Sequence, residues 1–208
     1  MSLNNEPNNE PNNENLYYHN WLHNLDLNAS LSIEDYPLYP YFTFVGQLHL
    51  QNPARSINNY LWNIHDIIHI DDTEYNMRQD IIYMFVCDDK IIRIKGYESS
   101  LKNLIHSIHL GHFISPRLEN NTHEFTEITT YDHEIIYNTI YHYLTRNHII
   151  DLYYCIVEPV YIARNIFGTI HNIRSPLLRE YEEMAIGKYM TLRGKVPDLN
   201  PDLNLNYN

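Results

Sequence analysis

Apolar and polar positions alternate between two patterns along this chain, and the centre of the pattern is Ile81–Gly96 (IIYMFVCDDKIIRIKG). Two short apolar runs, Ile81–Cys87 and Lys90–Lys95, flank the pair Asp88-Asp89. Runs this short, rich in Ile, Val, Tyr and Phe and split by two acidic residues, predict a β-hairpin. The first run has no polar alternation, which predicts a strand in the middle of a sheet, covered on both faces. Gly96 is expected to close the second strand, and Ser99–Leu110 reads as a helix directly after it. Hairpin, glycine and helix together outline a compact α/β unit.

Upstream, Phe42–Leu50 predicts a strand, entered from a Pro- and Tyr-rich loop at Tyr36–Phe44. Leu61, Ile64, Ile67 and Ile68 within Asn58–Ile70 suit a helix or a strongly packed mixed segment. Downstream, Gly111–Thr126 is polar and irregular, whereas Glu134–His148 places Ile136, Ile140 and Leu144 four apart on one helical face. Ile149–Val157 predicts a buried strand, and Val160–Ile173 a second hairpin around Gly168. Ser175-Pro176 predicts the cap and first position of a last helix, Leu177–Leu192, ended by Gly194. The sum is an α/β (α+β) fold: a small mixed or antiparallel sheet flanked by helices.

The ends read differently. The NNEP repeats within residues 1–15 hold no core-forming residue and predict a disordered tail. Residues 16–79 are expected to form an N-terminal extension packed on the core, and through it a protein partner could be engaged. A domain follows over 80–200, and 201–208 is a flexible tail, with the PDLN repeats from Pro197 expected to be extended.

A chain of 208 residues can bury a substantial core. No run reaches the length of a membrane span and no charged apolar leader opens the chain, so an intracellular, non-secreted protein without a membrane partner is expected. Cys87 and Cys155 lie within apolar strand-like runs, where a reduced thiol is the ordinary state. The net charge of −12 disfavours unassisted nucleic-acid binding, because phosphate contacts need clustered Lys and Arg. That charge is uneven, with six acids and no Lys or Arg in the first 36 residues, and a divalent metal offsets such repulsion locally. No phosphate-binding loop, nucleophile elbow or cysteine-based zinc pattern is present.

Strand, strand, helix, further helix, strand, then a helix bearing Tyr181-Glu182-Glu183 and a terminal Pro197-Asp198-Leu199-Asn200: this order over Asp80–Asn200 resembles the GIY-YIG endonuclease superfamily, with an extra helix inserted before the third strand. The resemblance implies a metal-dependent DNA endonuclease using Mg²⁺ or Mn²⁺. Ile81-Ile82-Tyr83 stands at the first motif and keeps its tyrosine; Arg93-Ile94-Lys95-Gly96 stands at the second, with arginine where tyrosine is usual and a lysine intervening. By that resemblance Tyr83 would position or deprotonate water, Arg93 and Lys95 would face phosphate, and Glu182 would hold the metal. Lys102 and Asn200 would contact substrate. The helix arginine expected near Lys102–Ile105 is missing, which supports an alternative, a catalytically degenerate relative kept for nucleic-acid binding or protein interaction.

Each residue also has an ordinary reading. Tyr83 is one of nineteen tyrosines and suits packing. Glu182 and Glu183 suit a helix dipole, and Arg93 and Lys95 suit a solvated strand face. A third, more distant reading is a His-metal hydrolase at His65 and His69, four apart, with Asp66, Asp71 and Asp72 nearby; His106, His109 and His112 are spaced by three. The abundance of Asn, Ile and Tyr suits an AT-rich coding genome, as in large DNA viruses or some protists, which would place the protein in the cytoplasm, a viral factory or a virion.

Overall fold

The computed structural model describes residues 25–50, 62–65, 71–109, 130–158, 160–175 and 177–200. Its main sheet has five antiparallel strands in the order β2-β1-β5-β3-β4, formed by β1 (Thr43–Leu50), β2 (Trp62–His65), β3 (Gln79–Cys87), β4 (Lys90–Ser99) and β5 (Ile150–Val157). A separate hairpin pairs β6 (Val160–Ile166) with β7 (Thr169–Ser175). The helices are α1 (Asp72–Asn76), α2 (Leu101–His109), α3 (Thr130–Thr145) and α4 (Leu178–Arg193).

The central hairpin forms because its turn pair accepts positive φ: Asp88 is at 45° and Asp89 at 67°. Two such residues make a type I′ turn, whose twist matches that of the strands it joins. Every residue of β3 is buried, as its unbroken apolar run requires of a strand flanked by β5 and β4. Ile81, Tyr83, Phe85 and Cys87 pack with α2 and α3 on one face; Ile82, Met84 and Val86 pack with α4 and the segment around Tyr36 on the other. Period-two alternation thus builds two cores from one strand.

Several expectations are corrected. Gly96 does not end its strand, which continues to Ser99 opposite Gln79. Trp62–His65 is a strand paired with β1, not part of a helix; the remainder of Asn58–Ile70 lies outside the described residues. Ser175 does not cap the last helix, because its backbone is paired with Val160 at the base of the second hairpin. The N-cap of α4 is Leu177, with no side-chain cap, while Gly194 ends the helix at φ 71° as expected. Pro197–Asn200 is not an extended tail: Asn200 N–H donates to the Pro197 carbonyl, and Leu199 and Asn200 are fully buried. The predicted tail 1–15 and the polar segment Gly111–Thr126 lie outside the described residues.

β4 is an edge strand, and an edge carries unpaired backbone groups that need covering. Here four pieces cover it in sequence. Ile33 N–H donates to the Asp89 carbonyl at the turn, and Ile91 N–H donates to Leu31. Leu199 N–H donates to the Ile92 carbonyl at 2.7 Å. The Asn200 amide then takes both groups of Ile94, accepting from its N–H at 3.1 Å and donating to its carbonyl at 2.7 Å. The next amide along this edge, that of Gly96, is taken by the Glu182 carboxylate at 3.0 Å. One helix residue thus extends the cover of the strand to Gly96, and the candidate site is built there.

Candidate active site

α4 runs along β4, and its three consecutive polar residues Tyr181, Glu182 and Glu183 are sorted by helical angle. Glu183 faces outward and pairs with Arg179 one turn earlier, at 2.8 Å, between exposed side chains. Glu182 turns to the sheet edge. Its Oε2 accepts from Gly96 N–H, and its Oε1 lies 3.0 Å from the Lys95 ammonium. Its side chain is 16% exposed and that of Lys95 32%, so the pair sits half-buried at the sheet edge where solvent reaches it. Lys95 stands opposite Tyr83 in the ladder, and facing residues in an antiparallel pair share a side. Its stem therefore leaves the sheet on the Tyr83 face, and its head meets Glu182 at the open edge.

Gly96 makes that meeting fit. A Cβ there would lie 2.7 Å from Glu182 Oε2 and 3.0 Å from Leu178 Cγ, so the carboxylate occupies the space a side chain would need. The glycine's requirement is this close approach.

A second cluster lies in the core on the Tyr83 face. Arg93 Nε donates to the Tyr83 hydroxyl at 3.1 Å, and Arg93 Nη1 donates to the Leu199 carbonyl. Arg93 is buried and Tyr83 is 1% exposed. A solvated strand face is therefore not where Arg93 sits. It is an internal tie between β3 and the chain's last described residues, its charge met by oxygen acceptors as burial demands. Asn200, fully buried, holds Ile94 between the two clusters. The four consecutive residues Arg93–Gly96 thus make contact with Tyr83, Leu199, Asn200 and Glu182. Lys102 is exposed on the first turn of α2. That helix, Leu101–His109, contains no arginine.

Among the described residues one group of potential metal ligands has its donor atoms mutually within 4.8 Å: Cys87, Asp88 and His148. Sequence reasoning missed it because His148 is 60 positions from Asp88. Asp88 accepts from Ile149 N–H at 2.9 Å and bonds His148 Nδ1. Burial alone would raise the Asp88 carboxyl; the His148 and Ile149 hydrogen bonds and the His148 charge outweigh it and hold the group below its ordinary value. Burial, with the charges of Asp88 and Asp151, pushes the Cys87 thiol up to about 12, so it stays protonated at neutral pH. As it stands the trio ties the central turn to the end of α3. His65 lies in a strand, so the helical geometry assumed for it and His69 does not apply, and His69 lies outside the described residues. His106 is exposed on α2, and His112 lies outside the described residues.

No family model and no curated protein matches the chain. Solved structures do. The restriction endonuclease HPY188I in complex with product DNA aligns at a TM-score of 0.46 with 18% identity, over 83% of this chain and 87% of that one. A mutant of bacteriophage T4 EndoII aligns at 0.45 with 12% identity, over 82% of this chain and 99% of that one.

Proposed function

We propose that the protein is a metal-dependent endonuclease of GIY-YIG type, hydrolysing DNA at the sheet edge between β4 and α4. The observation that supports this reading is the meeting of Lys95, Gly96 N–H and Glu182 at the edge of β4, on the strand that also carries Arg93, which bonds Tyr83 in the core. Those residues were singled out by motif order, and they belong to elements up to a hundred residues apart.

The donors suit Mg²⁺ or Mn²⁺. Glu182 offers one carboxylate, whose Oε1 an ion would share or take over from Lys95, and such ions are commonly held by one or two carboxylates, with water and substrate phosphate supplying the other ligands. Bound at Glu182, the ion would supply positive charge against the scissile phosphate. Lys95, 32% exposed at the same edge, would add a second positive charge and hold a phosphate oxygen once it leaves Glu182. Arg93 is committed to Tyr83 and Leu199, and Tyr83 is 1% exposed against α2 and α3, so this pair would set the positions of β3 and β4 rather than touch the water. Hydrolysis joins the water oxygen to phosphorus and breaks the bond to the leaving sugar oxygen, yielding one phosphate end and one hydroxyl end. Asn200 fixes the Ile94 backbone, and through it the positions of Arg93 and Lys95.

Lys95→Ala tests the assignment. An ion pair this open is worth about 0–1 kcal/mol, so the variant should melt within a few degrees of wild type. Its cleavage of plasmid DNA in Mg²⁺ should fall by about a hundredfold or more, the cost of removing one preorganised group from developing charge. Equal cleavage by the two proteins overturns the role given to Lys95.

The arginine-free helix α2 favours a second reading, a non-cleaving DNA-binding relative. In that case the wild type binds DNA but leaves it intact.

A further inference from the structure

The β6–β7 hairpin is exposed at every position from Val160 to Ile173. A two-stranded hairpin alone in water is marginal, so an arm of this kind is completed by what it binds. Its register puts Val160, Ile162, Arg164 and Ile166 opposite Ser175, Ile173, His171 and Thr169 on one face. The other face pairs Tyr161, Ala163 and Asn165 with Arg174, Asn172 and Ile170.

Two observations say what the arm takes. The first is charge: residues 160–175 carry two arginines and no carboxylate, in a chain of net charge −12. The second is the tip. Phe167 and Gly168 have φ 50° and 85°, the type I′ geometry in which Asn-Gly or Asp-Gly is favoured. A phenylalanine there is strained by its Cβ, and its ring makes no use of the fold: Phe167 is fully exposed, at 103%. A turn selected for stability alone would not hold an aromatic ring in water at a position that disfavours it.

We propose that this hairpin is a DNA-gripping arm: a two-stranded ribbon that lies in a groove of duplex DNA, with Arg164 on phosphate and the Phe167 ring wedged against a base step. Two-stranded ribbons enter the minor as well as the major groove, and apolar wedges of this type unstack bases from the minor groove, which is the groove this arm would take. Ser175 ends the arm and α4, which carries Glu182, begins at Leu178. A duplex held by the arm is therefore tethered two residues from the helix of the proposed nuclease site, and the inference rests on that reading for the purpose of the grip.

The test uses the full chain and a fluorescein-labelled 20-base-pair duplex, with a second duplex carrying 2-aminopurine to report unstacking. Phe167→Asn relieves the turn, so it should melt at or above the wild-type temperature. Its affinity should fall about tenfold, the scale of one lost base–aromatic contact, and the 2-aminopurine signal seen with wild type should vanish. Arg164→Ser should reduce the slope of log affinity against log salt by about 1. Unchanged affinity and unchanged fluorescence in Phe167→Asn overturn the proposal. So does a dimer, seen by sedimentation, that Phe167→Asn dissociates without altering DNA affinity, since a second copy then covers the arm. Plasmid cleavage by wild type, read beside these affinities, separates the two claims. If wild type does not cleave, yet Phe167→Asn binds more weakly, the arm stands and the nuclease reading fails. If wild type cleaves and the arm variants bind as well as it does, the arm fails alone.

Discussion

Replacing Asn200 by alanine probes the scaffold of the site. Asn200 serves Ile94 as a neighbouring strand would, with one bond to its amide and one from its own amide to its carbonyl. The residue is wholly buried. Alanine leaves an N–H and a C=O of the backbone without these partners, at about 1–3 kcal/mol for each. The expected loss is about 2–6 kcal/mol, which for a chain of this size lowers the melting temperature by about 4–24 °C. Asn200→Asp retains the oxygen that accepts from Ile94 but, when ionised, cannot donate to its carbonyl, so it should also be destabilised. Thermal melts followed by circular dichroism give the magnitude, and amide exchange of Ile94 gives the location. Exchange there should accelerate in Asn200→Ala even well below the melting temperature. A melt within about 2 °C of wild type, with Ile94 exchange unchanged, would refute the idea that Asn200 covers this edge.

Two other perturbations address the site and its surroundings. Gly96→Ala places a methyl group against Glu182 Oε2 and Leu178, so the carboxylate should leave the Gly96 amide; cleavage should drop more than tenfold with a stability loss of about 1–2 kcal/mol, and retention of full activity contradicts the packing argument. Asp88 has a depressed carboxyl, so its interaction with His148 and Ile149 stabilises the protein above the unfolded-state value and is lost as pH falls through the lower folded value. Acid melts should show wild type losing, below about pH 4, an advantage over Asp88→Asn that it holds at neutral pH; parallel curves for the two proteins contradict it.

Much of this architecture was legible locally. The Asp88-Asp89 pair between two apolar runs announces a hairpin because both residues tolerate positive φ, and the unbroken run of β3 announces a strand between two others. The second hairpin was legible from Gly168 for the same reason. What failed were inferences whose deciding partner is distant. Arg93 looks solvated in a sequence because nothing near it shows that Leu199, 106 residues later, brings it a carbonyl. Pro197–Asn200 looks like the start of a repetitive tail because its composition is that of one, yet a β4 edge with unpaired groups draws it in. Ser175-Pro176 has the local signature of a helix start, but pairing with Val160 claims the serine backbone first. Within the site, Glu182 and Lys95 could be named from motif order. Gly96 was noted as a strand terminator, and only its contact with Glu182 reveals why a side chain is absent there.

The most direct test of the nuclease reading is cleavage of supercoiled plasmid DNA in Mg²⁺ and in Mn²⁺ by wild type beside Glu182→Gln. Glutamine keeps an oxygen able to accept from Gly96 N–H but removes the charge that would hold a divalent ion, so fold and edge cover should persist. Metal-dependent cleavage by wild type, abolished in Glu182→Gln at an unchanged melting temperature, is the result predicted. Intact plasmid with folded wild type, or equal cleavage by both proteins, contradicts it.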